Sequence, residues 1–208
     1  LLYALKEKFP RYEQIGIKKE GEFIQINDSI IQIENEYYSS IRPKRIVGSG
    51  ERPINALKEK GIEYVEVRCM DNNPFEPLGI SAETSHFLEA YLMTCLADEN
   101  KFAPKEEIVE IQTNWQNVVK DGRNPDLNIL VNGEEINIRD AANSVLEKIK
   151  IFNSSITDKA DNLKTNITNS FAIKEKKIEN SDLTPSGKIL KIIKDTSVQT
   201  FFSFFFLK

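Results

Sequence analysis

From Ile62 the chain reads Ile-Glu-Tyr-Val-Glu-Val-Arg-Cys-Met-Asp-Asn-Asn-Pro-Phe, ending at Phe75, and its opening alternation of period two is the signature of an extended strand. Ile62, Tyr64, Glu66 and Arg68 fall on one face, Val65 and Val67 on the other, so the valine face is the expected core face. Cys69 falls on the valine side and is expected as a small buried hydrophobe, not a nucleophile. Glu66 and Arg68 then stand about 7 Å apart on the opposite face. One use of that pair is to hold a hard cation on the carboxylate and a phosphate or carboxylate on the guanidinium beside it. The other is an ion pair on a half-solvated sheet, and spacing alone is compatible with both.

A second stretch with the same grammar lies upstream. Phe23 to Asn27 reads as a strand, Asp28-Ser29 as a turn and Ile30 to Tyr38 as the next strand. In the latter, Ile31, Ile33, Asn35 and Tyr37 share a face, while Gln32, Glu34, Glu36 and Tyr38 line the other. Ile41-Arg42-Pro43-Lys44-Arg45 follows, three cations around a proline that keeps the backbone extended. Acids beside a short basic run suit a metal and nucleotide phosphates. A solvated edge strand with a charged exit loop accounts for the same letters.

These two stretches carry a resemblance. The run Ile31 to Arg45, then a helix, then Gly61 to Phe75 with its Glu-Tyr-Val-Glu-Val-Arg and Asn-Pro-Phe, is similar in order and content to the proteobacterial type of glutamate-cysteine ligase. A looser likeness extends from Tyr12-Glu13-Gln14-Ile15-Gly16 through the helices near Phe87 and Trp115 to about Asp195. The resemblance implies formation of gamma-glutamylcysteine, the first step of glutathione synthesis, from glutamate, cysteine and ATP with Mg2+. In that chemistry ATP phosphorylates the glutamate side-chain carboxylate, the cysteine amine attacks the acyl phosphate, and phosphate leaves, so positioning and charge stabilisation carry the catalysis. Position by position, the resemblance implies that Glu66 ligates magnesium, that Arg68 steadies the transferred phosphoryl group, and that Tyr38 lines the cysteine pocket. Arg42, Lys44 and Arg45 are candidates for nucleotide phosphate, and Glu34 and Glu36 for metal. Structural ion pairs are the alternative for all five.

Composition fits a cytoplasmic enzyme part. The 208 residues are 40% hydrophobic and 29% charged, ordinary globular usage for one sizeable core. A net charge of -4 gives no electrostatic footprint for nucleic acid, and no membrane partner is expected. Two cysteines, Cys69 and Cys95, are too few for a disulfide scaffold and are expected as reduced thiols. The single histidine, His86, leaves no room for a His-rich metal site and is expected on a helix surface.

The chain opens on Leu1, and Leu1, Leu2, Leu5 and Phe9 have helical apolar spacing, read as the end of a helix. Ser81 caps an expected helix with Phe87, Leu88, Tyr91, Leu92, Cys95 and Leu96 as its apolar stripe. Pro104 opens another, with Ile108, Ile111, Trp115, Val118 and Val119 inward and Gly122 as its stop. Both stripes are expected in the core. Asn132-Gly133 between two apolar runs marks a hairpin. A helix with Val145, Leu146, Ile149 and Phe152 inward follows. Ile156, Ala160, Leu163, Ile167 and Phe171 recur at helical spacing in the next, and Thr184-Pro185 starts the last.

The run Phe201 to Leu207 is too short to span a bilayer. It departs from the family pattern and reads as a disrupted frame, with a membrane-surface anchor as the runner-up. The expected fold class is α+β, a mostly antiparallel sheet of the glutamine synthetase-like half-barrel type with packed helices, incomplete at its N-terminus. Residues 1–80 are read as strands of the catalytic sheet, 81–152 as a helical cover with a hairpin, and 153–208 as polar helices with the Phe-rich end. The family's glutamate pocket and most of its metal carboxylates precede these motifs, so the resemblance implies half a site, inactive without the missing N-terminal half. A related carboxylate-amine ligase with another amine acceptor, or a non-catalytic remnant acting as an interaction module, are the alternatives.

Overall fold

The computed structural model describes residues 3–36, 38–99, 103–156 and 161–196. They form two compact units, 1–71 and 72–208, each built from antiparallel strand pairs and helices.

In the first unit the expected N-terminal helix is replaced by a turn, in which the Glu7 amide donates to the Tyr3 carbonyl; Leu1 and Leu2 lie outside the described residues. Helix α1 (Pro10–Ile15) begins only where Pro10 presets the first helical φ, and ends at Gly16 with φ +76°. Strands β1 (Lys18–Lys19) and β2 (Glu22–Phe23) make a short hairpin around Glu20 and Gly21, both at positive φ.

The expected strands over Phe23–Asn27 and Ile30–Tyr38 are corrected here: the first shrinks to the end of β2, and the second is bends and a 3-10 turn at Glu34–Glu36. Tyr37 lies outside the described residues. Polar side chains take the backbone groups that a ladder would have used. Gln32 accepts from the Ile26 amide through its side chain, its own amide donates to Glu36 Oε2, and Asn27 binds both the Gln32 carbonyl and the Ser29 amide. Gln25 donates to the Tyr12 and Gly16 carbonyls, tying the segment to α1.

Strand β3 (Ile41–Lys44) pairs antiparallel with β4 (Tyr64–Val67), with α2 (Pro53–Lys60) between them in sequence. Pro43 sits opposite Val65 in this two-stranded ladder, where a missing amide is tolerated. The face carrying Ile41, Pro43, Val65 and Val67 was expected as core, yet Ile41 and Val65 are about 40% exposed (40% and 39%). Ile54 and Ala56 of α2 are the buried hydrophobics of this unit among the described residues. Cys69 is exposed, not buried, because β4 ends at Val67 and the alternation no longer applies beyond it.

The second unit is mainly helical. Helix α3 (Ala82–Ala97) starts where Ser81 Oγ accepts from the Thr84 amide, as its sequence indicates. Helix α4 (Lys105–Asp121) runs from Pro104 to Gly122. Strands β5 (Asn128–Val131) and β6 (Glu134–Asn137) pair around Asn132-Gly133, whose φ values of +54° and +81° are those of a type I′ turn. Asn137 caps α5 (Ile138–Ser155), which is followed by α6 (Asp161–Glu179) and α7 (Pro185–Asp195). Thr184 Oγ1 accepts from the Gly187 amide, and a Cβ on Gly187 would stand 2.5 Å from the Ser181 carbonyl oxygen, so only glycine allows this turn to close on α7.

Helices α3, α5 and α6 enclose the core of Ala90, Leu146, Ile149, Ile167 and Phe171, flanked by Phe87, Tyr91, Leu163 and Ile178. Ala160 and the Phe-rich end lie outside the described residues. Two expected stripes are corrected. Helix α3 buries Ala90 and Thr94 while Cys95 and Leu96 are exposed, because it is apolar on several sides and small residues allow the closer helix approach. Helix α4 has no buried residue: Ile108, Ile111, Trp115, Val118 and Val119 are all exposed, since Asn114, bonded through its side chain to the Leu130 amide and carbonyl, faces the hairpin instead. Val145 of α5 is likewise half-exposed. No helix of the described residues is long and apolar enough to cross a membrane.

Candidate functional site: a charged face on the β3–β4 ladder

The register places Arg42 opposite Glu66 and Lys44 opposite Tyr64, so alternation brings Arg42, Lys44, Tyr64, Glu66 and Arg68 to one face. The Arg68 amide donates to the Ser40 carbonyl, carrying the pairing past Val67 and orienting the Arg68 side chain. Glu66 is the hub. Arg68 donates to Glu66 Oε2 through Nε at 3.0 Å and Nη2 at 2.7 Å, and Lys44 Nζ stands 3.3 Å from Glu66 Oε1. All three side chains are about one-third exposed. Tyr38, open to solvent, lies with its ring 5.5 Å from the Arg68 guanidinium carbon.

The Arg68 hydrogen bonds, with Lys44 behind them, hold the Glu66 carboxyl below its usual range against a partial desolvation that acts the other way. A depressed folded-state pKa contributes stability above the ordinary carboxylate range and loses it as pH falls through the lowered value, so the hub is ionised at neutral pH. An ionised carboxylate with two cations beside it can release one of them to an incoming phosphate and keep an oxygen for a cation.

The remaining sequence candidates separate from this hub. Glu34 accepts from Arg52 Nε at 2.8 Å and from the Ile54 amide at 3.1 Å, closing the N-terminal turn of α2. Arg45 Nη1 donates to the Lys60 carbonyl at 2.6 Å and reaches the Gly61 carbonyl, closing the other end of the same helix. Glu36 accepts from the Gln32 amide. Glu34, Arg42, Lys44, Arg45 and Tyr64 also line one cavity of about 210 Å3 between the ladder and α2. Among the described residues no three His, Cys, Asp or Glu side chains gather to hold a metal. Glu66 alone still fits Mg2+, which keeps waters and takes one or two carboxylates plus substrate phosphates.

Sequence reasoning missed Tyr64 as a cavity residue, although its alternation with Glu66 was visible. It also missed Arg52, whose partner Glu34 is 18 residues away, beyond any local spacing signal. The capping role of Glu34 gives a direct expectation. Glu34→Ala removes two charge-assisted bonds from α2 and lowers stability by about 1–2 kcal/mol in urea denaturation. A loss below about 0.3 kcal/mol would show that the cap is not used.

Strand and helix pairs of this kind, carrying a carboxylate hub among arginine and lysine, define a chain built to handle anions beside a cation. A family model for glutamate-cysteine ligase matches residues 1–118. Over 193 residues the chain is 40% identical to the glutamate–cysteine ligase of Janthinobacterium sp. (strain Marseille), covering 93% of this chain and 36% of that protein. The enzyme of Pseudomonas aeruginosa (strain UCBPP-PA14) is 40% identical over 195 residues, covering 94% of this chain and 36% of its own. A 2.0 Å crystal structure of glutamate–cysteine ligase from Francisella tularensis in complex with AMP superposes with a TM-score of 0.80 at 38% identity, covering 95% of this chain and 39% of that one. The chain belongs to the glutamate-cysteine ligase family and spans about a third of the length of the curated relatives it matches.

Proposed function

We propose that this chain supplies the Glu66–Arg68–Lys44 face of a cytoplasmic glutamate-cysteine ligase, which joins L-glutamate to L-cysteine at the expense of ATP. The observation that supports this most directly is the Glu66 hub, shared by Arg68 and Lys44 with Tyr38 against the guanidinium. In the proposed reaction a glutamate γ-carboxylate oxygen attacks the ATP γ-phosphorus and ADP leaves. The cysteine amine then attacks the acyl carbon, losing a proton, and phosphate departs with its electron pair. Arg68 binds the transferred phosphoryl oxygens through its planar fork, Lys44 and Arg42 add positive charge beside it, and Tyr38 borders the cysteine pocket. Mg2+, held in part by Glu66, supplies charge neutralisation on the phosphates. The β3–β4 ladder is proposed as part of a half barrel whose other strands, glutamate pocket and further carboxylates come from the rest of the longer protein.

The test is made on the full-length polypeptide containing this chain. Gamma-glutamylcysteine and ADP form together only when glutamate, cysteine and MgATP are all present. ADP release with a different amine and none with cysteine would favour the related carboxylate-amine ligase, and no turnover with any amine would favour a non-catalytic module.

Glu66→Gln keeps shape and loses ligand charge, so the magnesium concentration for half-maximal rate rises about tenfold while thermal stability changes little. An unchanged magnesium curve with unchanged turnover would remove Glu66 from the site.

A further inference from the structure

The helical unit contains a second place suited to a ligand, remote in sequence from the charged strand face. An open cavity of about 630 Å3 lies among the β5–β6 hairpin, α3, α5 and α6, with Phe87, Ile136, Val145 and Ile178 in an almost wholly apolar lining. Its charged lining residues are Lys174, Lys177 and Asp140. A second cavity of about 230 Å3 shares Ile138, Ala142, Lys177 and Ile178 with the first, so the two are continuous. The smaller chamber is polar and cationic: Arg123, Arg139 and Lys177 line it together with the hydroxyls of Ser181, Thr184 and Ser186.

The cations here are short of partners. Arg123 gives Nη2 to Asp182, but its Nε is shielded from solvent and has no acceptor. Lys174 donates to the Thr84 hydroxyl at 3.3 Å and lies 4.9 Å from the centre of the Phe87 ring. Neither Lys174 nor Lys177 has an ion-pair partner among the described residues. Burial, then the Lys177 charge, brings the Lys174 ammonium down to about 8, and burial with Lys188 lowers Lys177. Glu83 acts on both lysines and Glu76 on Lys177, but Glu83 is already engaged by its own backbone amide and by Ser81 at the start of α3. Half-buried ammonium groups beside an apolar chamber are costly unless an anion compensates them.

We propose that the paired cavities bind a small amphipathic carboxylate, its alkyl or aryl body in the apolar chamber and its head group between Lys177, Lys174 and the Arg123 side. An apolar pocket with a few convergent polar groups is the usual form of a small-molecule site. The carboxylate supplies the missing acceptor, and the chamber takes a body of about eight carbons.

The test uses the 208-residue chain, with octanoate and uncharged 1-octanol as matched probes in calorimetry and in 15N chemical-shift titration. Octanoate binds at least about tenfold more tightly than octanol at pH 7, a difference of about 1.4 kcal/mol. That preference declines as pH rises from 7 to 9, because Lys174 loses its proton in this range while Lys177, Lys188, Glu83, Glu76 and Asp140 set the surrounding field. The double variant K174M/K177M folds normally, binds octanol as before and shows no preference for octanoate. V145W, which fills the chamber from a half-exposed position, weakens both probes. Equal binding of the two probes, no binding of either, or a preference that survives K174M/K177M would overturn the proposal.

Discussion

Arg68→Lys in the full-length enzyme lowers kcat about 100-fold, or about 2.7 kcal/mol of transition-state stabilisation, on the scale of one preorganised donor. The geometry explains the size. Arg68 presents Nε and Nη2 in one plane to Glu66 and one face of the same plane to Tyr38, so the remaining Nη edge is held in a defined direction for a phosphoryl oxygen. A lysine ammonium has no such plane: it can pair with Glu66 or reach for a phosphate, but cannot do both in fixed orientation. KM for glutamate changes less than kcat, because the lost contact is made chiefly to the group in transfer. Steady-state kinetics with each substrate varied in turn measures this. Rates within about threefold of the parent would mean that Arg68 and Glu66 form only a surface ion pair.

Ile149→Ala lowers the stability of the helical unit by about 3 kcal/mol, within the 2–5 kcal/mol found for such core truncations. Ile149 is 1% exposed and sits among Ala90, Leu146, Ile167 and Phe171. These residues come from three helices and cannot all move into the space left. Ile111→Ala on α4, where the side chain is 55% exposed, changes stability by less than about 0.5 kcal/mol. Urea denaturation followed by circular dichroism compares the two. Equal losses would show that the α4 stripe is covered, contrary to its exposure.

The contrast between those two isoleucines shows how far periodicity reaches. Leu146, Ile149, Ile167 and Phe171 recur at helical spacing and are buried. Ile108, Ile111, Trp115, Val118 and Val119 recur equally well and are exposed, because a stripe records an apolar face but carries no record of a neighbour to cover it. Thr94, Asn153 and Ser170 are buried polar residues that periodicity left out. Each satisfies a polar atom on a carbonyl of its own helix: Thr94 on Ala90, Asn153 on Ile149 and Ser170 on Ile167. The stretch Ile30 to Glu36 failed as a strand for a related reason. Its Gln, Asn and Glu side chains compete for the backbone, and alternation of letters does not decide that competition.

Features governed by nearest neighbours were determined by the sequence alone: the caps at Ser81 and Thr184, the Asn132-Gly133 turn, the extended runs around Pro43 and Val65, and the shared face of Glu66 and Arg68. Local backbone preference and a period of two or 3.6 suffice for these. Tertiary structure decided the pairing of Lys44 with Glu66 across the ladder, the diversion of Glu34 and Arg45 to the two ends of α2, and the cavities around Lys177. These depend on register and on packing between distant segments. A side chain's partner there is set by which of several reachable charges or carbonyls the folded backbone brings within about 3 Å, and no spacing along the chain encodes that distance.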